Sequence, residues 1–117
     1  MDKKLYQKLT IRLYKAGKCF GPGIAELLDK VAEHHSLRAA AQSMDMAYSK
    51  AWTMVRQCEA ALGEKLIDRT TGGKNGGGAV PTETALALVE SYRAFCRDVN
   101  QYADMQFSVY FDRFQME

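Results

Sequence analysis

A single, mainly α-helical domain with a small β-sheet is the fold class this sequence predicts, and three observations predict it. Apolar residues recur at three- and four-residue steps in three stretches, with an alanine-rich segment between the first two, and that spacing gives a helix one buried face. Two short stretches of strand character flank a glycine-rich run at positions 72–78. The length of 117 residues suits one hydrophobic core. Hydrophobic residues are 47% and charged residues 26% of the chain, the balance of an ordinary soluble globular protein.

From Lys8 to Lys15, apolar Leu9, Ile11 and Leu13 alternate with polar Lys8, Thr10 and Arg12, and a period of two predicts a half-buried strand. Gly21-Pro22-Gly23 ends it, and Pro22 suits a helix start because its missing N–H is not needed there. Ile24, Leu27, Leu28 and Val31 fall at i, i+3, i+4 and i+7, which predicts a helix over 23–34. Ser36 is the expected N-cap of a short helix, Leu37 to Ser43. Its Ala39, Ala40 and Ala41 let a neighbouring backbone come close. Met44-Asp45-Met46 reads as a tight turn, because Asp tolerates the left-handed conformation better than most residues. A third helix is expected from Tyr48 to Leu62, with Ala51, Val55, Cys58 and Leu62 as its buried stripe and Gly63 as its C-cap. Two helices joined by so short a turn form a helix-turn-helix.

Lys65 to Thr70 reads as a short strand, Thr71 to Gly78 as a flexible loop, and Ala79-Val80 as a returning strand. A hairpin directly behind a helix-turn-helix is a wing, here about 65–80, so residues 1–81 are expected to form a winged helix-turn-helix. Residues 82–117 complete the same single domain with a C-terminal helix or helices. Thr82 is the N-cap candidate, with Pro81 just before it. Ala85, Leu88, Val89, Tyr92, Phe95, Val99 and Tyr102 then recur at helical steps, and the stripe runs on through Phe107, Tyr110, Phe111 and Phe114 with a break expected near Gln106. Such a stripe can lie on the domain's own core. Three short helices leave little core for so many aromatics, however, so the favoured reading is a homodimer seam of Leu88, Val89, Tyr92, Phe95, Val99 and Tyr102.

The net charge of +2 does not announce a nucleic-acid partner, so that reading rests on where the charges sit. Three parts converge. The third helix carries Tyr48, Ser49, Lys50 and Thr53 away from its apolar stripe, with Arg56 one turn on. A helix fits the B-DNA major groove, and the residues of its leading turn can meet base edges there. Ser36 and the free N–H groups at the start of the second helix suit a phosphate. In the wing, glycines allow close backbone approach while Lys74 and Arg69 add positive charge. Ser36, Lys50, Arg69 and Lys74 are expected to position the protein on the DNA backbone, and Tyr48, Ser49 and Thr53 to discriminate bases.

Plainer readings stand beside each of these. In isolation Lys50 and Arg56 are a solvated helix face, and Trp52 is packing. The glycine run is no phosphate-binding P-loop, since Asn75 follows Gly73-Lys74 where Ser or Thr is needed and a strand rather than a helix comes next. His34 and His35 are adjacent, which suits a frayed helix end better than a shared ligand. No nucleophile–base spacing marks an enzyme, and no metal or cofactor is expected. Cys19, Cys58 and Cys96 are odd in number and widely separated, as reduced cytoplasmic thiols are. The N-terminus has no apolar signal core and no stretch is long enough to span a membrane, so a cytoplasmic protein is expected.

The run Leu37-Arg38-Ala39-Ala40-Ala41, then Met46-Ala47-Tyr48-Ser49-Lys50-Ala51-Trp52, then Arg69 through the glycines to Ala79-Val80, resembles the N-terminal domain of molybdate-responsive (ModE-type) regulators. The Phe20-Gly21-Pro22-Gly23 lead-in is similar too. More distantly, Glu59-Ala60-Ala61-Leu62-Gly63 to Arg69-Thr70, with Pro81-Thr82-Glu83 after it, resembles the DNA-binding domain of LysR-type regulators. The resemblance covers about residues 5–100. It implies a winged helix-turn-helix that binds double-stranded DNA and regulates transcription, with Tyr48, Ser49 and Lys50 at the leading edge of the reading helix and Arg69, Thr71 and Lys74 in the wing. Ala47 stands where the family usually has a serine cap, Asp45 and Asn75 replace glycines, and Ala85 replaces a glycine early in the last helix. In the regulators it resembles, a molybdate-binding module follows; none follows within these 117 residues, so no built-in oxyanion sensor is expected. Two alternatives remain open: a winged-helix protein-interaction module without DNA affinity, and a thiol sensor acting through Cys58, against which its place on the buried stripe argues. The effector, if any, is not legible.

Overall fold

The computed structural model describes residues 4–73 and 76–115, and of residues 71–73 and 76–77 the backbone alone. In chain order the elements are β1 (Leu13–Tyr14), β2 (Lys18–Phe20), α1 (Pro22–His34), α2 (Leu37–Ser43), α3 (Tyr48–Leu62), β3 (Ile67–Gly73), β4 (Gly76–Pro81) and α4 (Glu83–Phe111), with a 3-10 turn at Asp112–Phe114. β1 pairs with β2 and β3 with β4, each as an antiparallel two-stranded sheet. This is a winged helix-turn-helix with a long C-terminal helix.

The helix boundaries follow local chemistry. Ser36 caps α2, its hydroxyl accepting from the Ala39 N–H at 3.0 Å, and Thr82 caps α4 by accepting from Ala85 N–H at 3.1 Å. α1 and α3 end on left-handed residues, His35 at φ 56° and Gly63 at φ 72°, which turn the chain while their N–H groups reach back into the last turn. Between α2 and α3, Asp45 takes φ 52°, and the Met46 N–H returns to the Ala41 carbonyl at 2.9 Å. That single left-handed residue sets the reversal of the helix-turn-helix.

One core joins all the helices. Leu27, Val31, Ala40, Ala51, Val55, Cys58, Leu66 and Ala85 have no exposed surface at all. Phe20 on β2 packs edge-on against Tyr92 of α4, with ring centroids 5.1 Å apart, and the Tyr92 hydroxyl donates to the Ile11 carbonyl. The wing is fastened at its root: Ala79 N–H donates to the His35 carbonyl and Thr82 N–H to the Leu66 carbonyl, both at 3.0 Å.

Four expectations are corrected. The strand over 8–15 shrinks to Leu13–Tyr14. Among the described residues no strand pairs with residues 8–12, and Ile11 lies against α4, its carbonyl accepting from the Tyr92 hydroxyl. β2, which the alternation did not reveal, pairs with β1 across a turn at Ala16 and Gly17, both with positive φ, the backbone of a tight hairpin. The wing strands run well into the glycine-rich stretch, with Gly73 opposite Gly76, so a ladder replaces most of the expected loop. α4 passes through Gln106 without a break.

The stripe of α4 also divides. Val89 and Tyr92 are buried in the chain's own core and Leu88 packs against it, so these three positions of the expected seam face inward. Beyond Tyr92 no residue of α4 is fully buried, while Phe95, Tyr102, Met105 and Val109 are 50–70% exposed.

Gly78 sits where β4 crosses the α1–α2 junction: a Cβ there would lie 2.7 Å from both the His35 carbonyl oxygen and the Thr70 hydroxyl. Gly78→Ala is expected to destabilise the fold by about 1–3 kcal/mol, read as a lower urea midpoint with an unchanged slope. Burial also pushes the Cys58 thiol from 9.0 to about 12 and the Tyr92 hydroxyl from 10.0 to about 12. Both groups ionise more easily in the unfolded chain, so their contribution is complete below pH 9 and is lost as pH rises toward 12. Unfolding titrations should show stability falling above pH 9, by up to about 1.4 kcal/mol per pH unit per group. Cys58→Ala in a Tyr92→Phe background should flatten that fall.

Candidate nucleic-acid interface

α3 is held by a narrow buried edge. Ala51, Val55 and Cys58 are sealed inside, and the hydrophobic periodicity that buries them sends Ser49, Lys50, Thr53, Arg56 and Gln57 outward, all exposed. The two faces of one helix are thus set by one packing decision. Expected contact residues Ser49, Lys50, Thr53 and Arg56 share the outward face. The Thr53 hydroxyl donates to the Ser49 carbonyl at 3.0 Å, which leaves its lone pairs free to accept.

Along the flank of that face runs a series of stacked rings and guanidinium groups. Arg38 of α2 lies over the Tyr48 ring at 4.1 Å. Tyr48 meets Trp52 edge-on at 6.3 Å. Arg56 of α3 and Arg69 of β3 both lie over the Trp52 ring, at 4.8 and 4.9 Å. An arginine stacked on an aromatic keeps its N–H edge available while its plane is fixed. Three guanidinium groups from three elements are therefore ordered beside the outward face of α3. Arg69 is brought to α3 by this stack, and the wing is tied to the same helix by Glu59, whose carboxylate accepts from the Leu66 N–H at 2.8 Å.

Other expected residues fall differently. Tyr48 is half-buried beneath Arg38, so its ring supports the surface more than it projects from it. Ser36 stands at the junction of α1, α2 and the wing root, with its hydroxyl engaged by Ala39 N–H. Thr71 lies in β3, where only the backbone is described, and Lys74 lies outside the described residues. Trp52 is packing, as expected, but it is also the platform for two arginines. Arg38 was missed by sequence reasoning: it occupies the first turn of α2, and only the sharp reversal at Asp45 brings it over Tyr48. Glu59 was missed for a like reason, since its partner lies in the connection to the wing. Among the described residues, no group of three or more His, Cys, Asp or Glu side chains is placed to hold a metal ion, and no helix is long and apolar enough to cross a membrane.

Comparison with known proteins agrees with this architecture. Residues 25–86 match the model of the bacterial regulatory helix-turn-helix proteins of the LysR family. The chain is 33% identical over 84 residues to the transcriptional regulator ModE of Haemophilus influenzae, which covers 72% of this chain and 32% of that protein. It is 33% identical over 85 residues to the DNA-binding transcriptional dual regulator ModE of Escherichia coli, with the same coverage of 72% and 32%. It is also 30% identical over 91 residues to the molybdenum-pterin-binding protein MopA of Rhodobacter capsulatus, covering 78% of this chain and 34% of that protein. The chain thus spans about a third of the length of these relatives. The family match extends from α1 through the helix-turn-helix and the wing into the start of α4, the same elements that carry the outward face of α3 and its arginine stack. The chain belongs to the LysR family of bacterial regulatory helix-turn-helix proteins and is related to the ModE-type regulators.

Proposed function

We propose that the chain binds double-stranded DNA sequence-specifically as a homodimer and regulates transcription. The observation that carries this reading is the outward face of α3, where Ser49, Lys50 and Thr53 are exposed beside Arg38, Arg56 and Arg69. Ser49 and Thr53 offer hydroxyl donors and acceptors to base edges in the major groove, while Lys50 and the stacked arginines suit the phosphates on either side. Ser36 is assigned to a backbone contact by its place at the start of α2 and Lys74 by its charge in the wing, and Thr71 is assigned to the DNA-contacting wing by its position in the family pattern. The modest net charge of +2 is no obstacle, because Lys50, Arg38, Arg56 and Arg69 concentrate positive charge locally beside α3.

The dimer is assigned to the distal part of α4. At 1.5 Å per residue its 29 residues run about 43 Å, and its exposed Phe95 and Tyr102, with half-buried Val99 between them, form an apolar strip beyond the chain's own core. A second copy on that strip would present two α3 helices to successive major grooves about 34 Å apart. The name of MopA attaches molybdenum to that protein; the matched third of its length carries no such ligand over to this chain.

Selection from a pool of random duplexes at two salt concentrations tests the reading. A two-fold-related motif is expected, and no retention even at low salt would leave a protein-interaction module as the better account. Lys50→Ala should weaken every duplex alike and reduce the slope of log K against log salt by about 0.9, whereas Ser49→Ala should change which sequences are preferred. Sedimentation should give a dimer for the parent chain and a folded monomer for a Phe95→Glu, Tyr102→Glu double variant. A parent chain that sediments as a monomer at all concentrations overturns the seam.

A further inference from the structure

A cavity of about 440 Å³ opens between the β1–β2 hairpin, the start of α1 and the outward edge of α3. That volume lies within the range of about 300–1,000 Å³ typical of small-molecule sites. Its walls come from three elements that are brought into close contact: the Arg12 side chain lies 3.2 Å from where a Gly21 Cβ would stand, and the Met54 methyl 3.4 Å from that of Gly23. Glycine at both positions keeps this end of α1 open. Pro22, Met46 and Met54 supply an apolar floor, and Arg12, Lys18 and Lys50 supply three positive charges from two different sides. Among the described residues no Asp or Glu lines the cavity and no ion pair engages these three cations. α1 begins in the same wall with no side chain capping its first-turn N–H groups.

We propose that this cavity binds a small organic anion, a single carboxylate or phosphate-type group carried on an apolar body, and that its occupancy opposes DNA binding. The charge pattern selects the anion, because three unpaired cations around a concave surface attract and desolvate one negative group better than open water does. The floor selects the apolar body. A DNA phosphate would satisfy the cations, but a duplex cannot enter the cavity to cover Met46 and Met54. The regulatory half of the proposal rests on the DNA-binding reading above: Lys50 and Thr53 border both the cavity and the outward face of α3, so an anion paired with Lys50 removes a charge that the duplex would otherwise use. By linkage, the duplex must weaken the anion to the same extent.

The test uses 2-naphthoate as probe, its neutral amide and inorganic phosphate as controls, and amide chemical shifts of the ¹⁵N-labelled full chain without DNA. Naphthoate is expected to shift Lys18, Gly21, Gly23, Ile24 and Thr53 in one saturable step, with α4 beyond Tyr92 unmoved. Arg12→Gln with Lys18→Gln should weaken it by about tenfold, and the amide and phosphate should each bind more weakly than naphthoate. Shifts confined to α4, equal binding of the amide, or phosphate binding as tightly as naphthoate would each overturn the site. Separately, saturating naphthoate should lower affinity for a retained duplex in the parent chain and not in the Arg12→Gln, Lys18→Gln variant. An unchanged affinity overturns the coupling while the site stands. A chain that binds naphthoate as described but retains no duplex refutes the proposed function and leaves the anion site intact.

Discussion

The edge by which α3 is buried is made of small side chains, and the placement of the wing, the arginine stack and the cavity depends on it. Ala51, Val55 and Cys58 let the helix sit close to α1 and β2, close enough that the sulfur atoms of Cys58 and Cys19 are 3.5 Å apart. Close approach fixes rotation as well as distance, because a dense interior admits few alternative packings. With the rotation fixed, Glu59 faces the connection to β3 and holds its N–H groups, Trp52 faces the wing and receives Arg69, and Lys50 faces the hairpin and the cavity. The same packing argues against Cys58 as a thiol sensor. Burial raises its ionisation far above neutrality, and a thiol that does not ionise is a weak nucleophile.

The chain divides its apolar residues between two tasks along α4. Ala85, Val89 and Tyr92 close the core over α1 and β2, and a pair between Arg93 and Asp29 marks the edge of that contact. An exposed ion pair of this kind adds little stability; the aromatic contact of Tyr92 with Phe20 is the stronger tie. Past that edge, the helix carries its aromatics into solvent, accompanied by the N-terminal segment, whose Leu5 carbonyl accepts from the Gln115 amide at 2.6 Å. The extents of 61 × 34 × 21 Å reflect this projection.

Much of this was legible in the sequence, and the limits were physical. α2 and α3 were read to the residue because their ends carry their own chemistry: Ser36 and Gly63 are caps, and Asp45 is a residue that accepts positive φ. The β1–β2 hairpin was not legible, since two residues of strand offer no periodicity and its turn places an alanine, Ala16, where φ is positive. The wing strands were read too short because glycine carries no strand preference, yet backbone pairing continues to Gly73 and Gly76 regardless. The stripe on α4 showed that residues repeat at helical spacing but not whose core they meet, so Val89 and Tyr92 were assigned to a partner when they belong to the chain's own interior. On the candidate interface, the exposed residues of α3 were read correctly as one face. The arginines that flank them come from α2 and β3, and only the tertiary fold places Arg38 and Arg69 beside Tyr48 and Trp52.

A chain belonging to the LysR family of regulatory helix-turn-helix proteins thus carries its polar outward face, its stacked cations and a concave basic cavity on or beside one helix. The central claim is that this helix, and not α4, meets nucleic acid. Mapping amide and Arg side-chain chemical shifts as a selected duplex is titrated into the labelled protein tests it most directly. The largest changes are expected at Ser49, Lys50 and Thr53 and at the Nε–H groups of Arg38, Arg56 and Arg69, with the distal half of α4 unaffected. Changes concentrated on Phe95 to Tyr110 with α3 silent would contradict it.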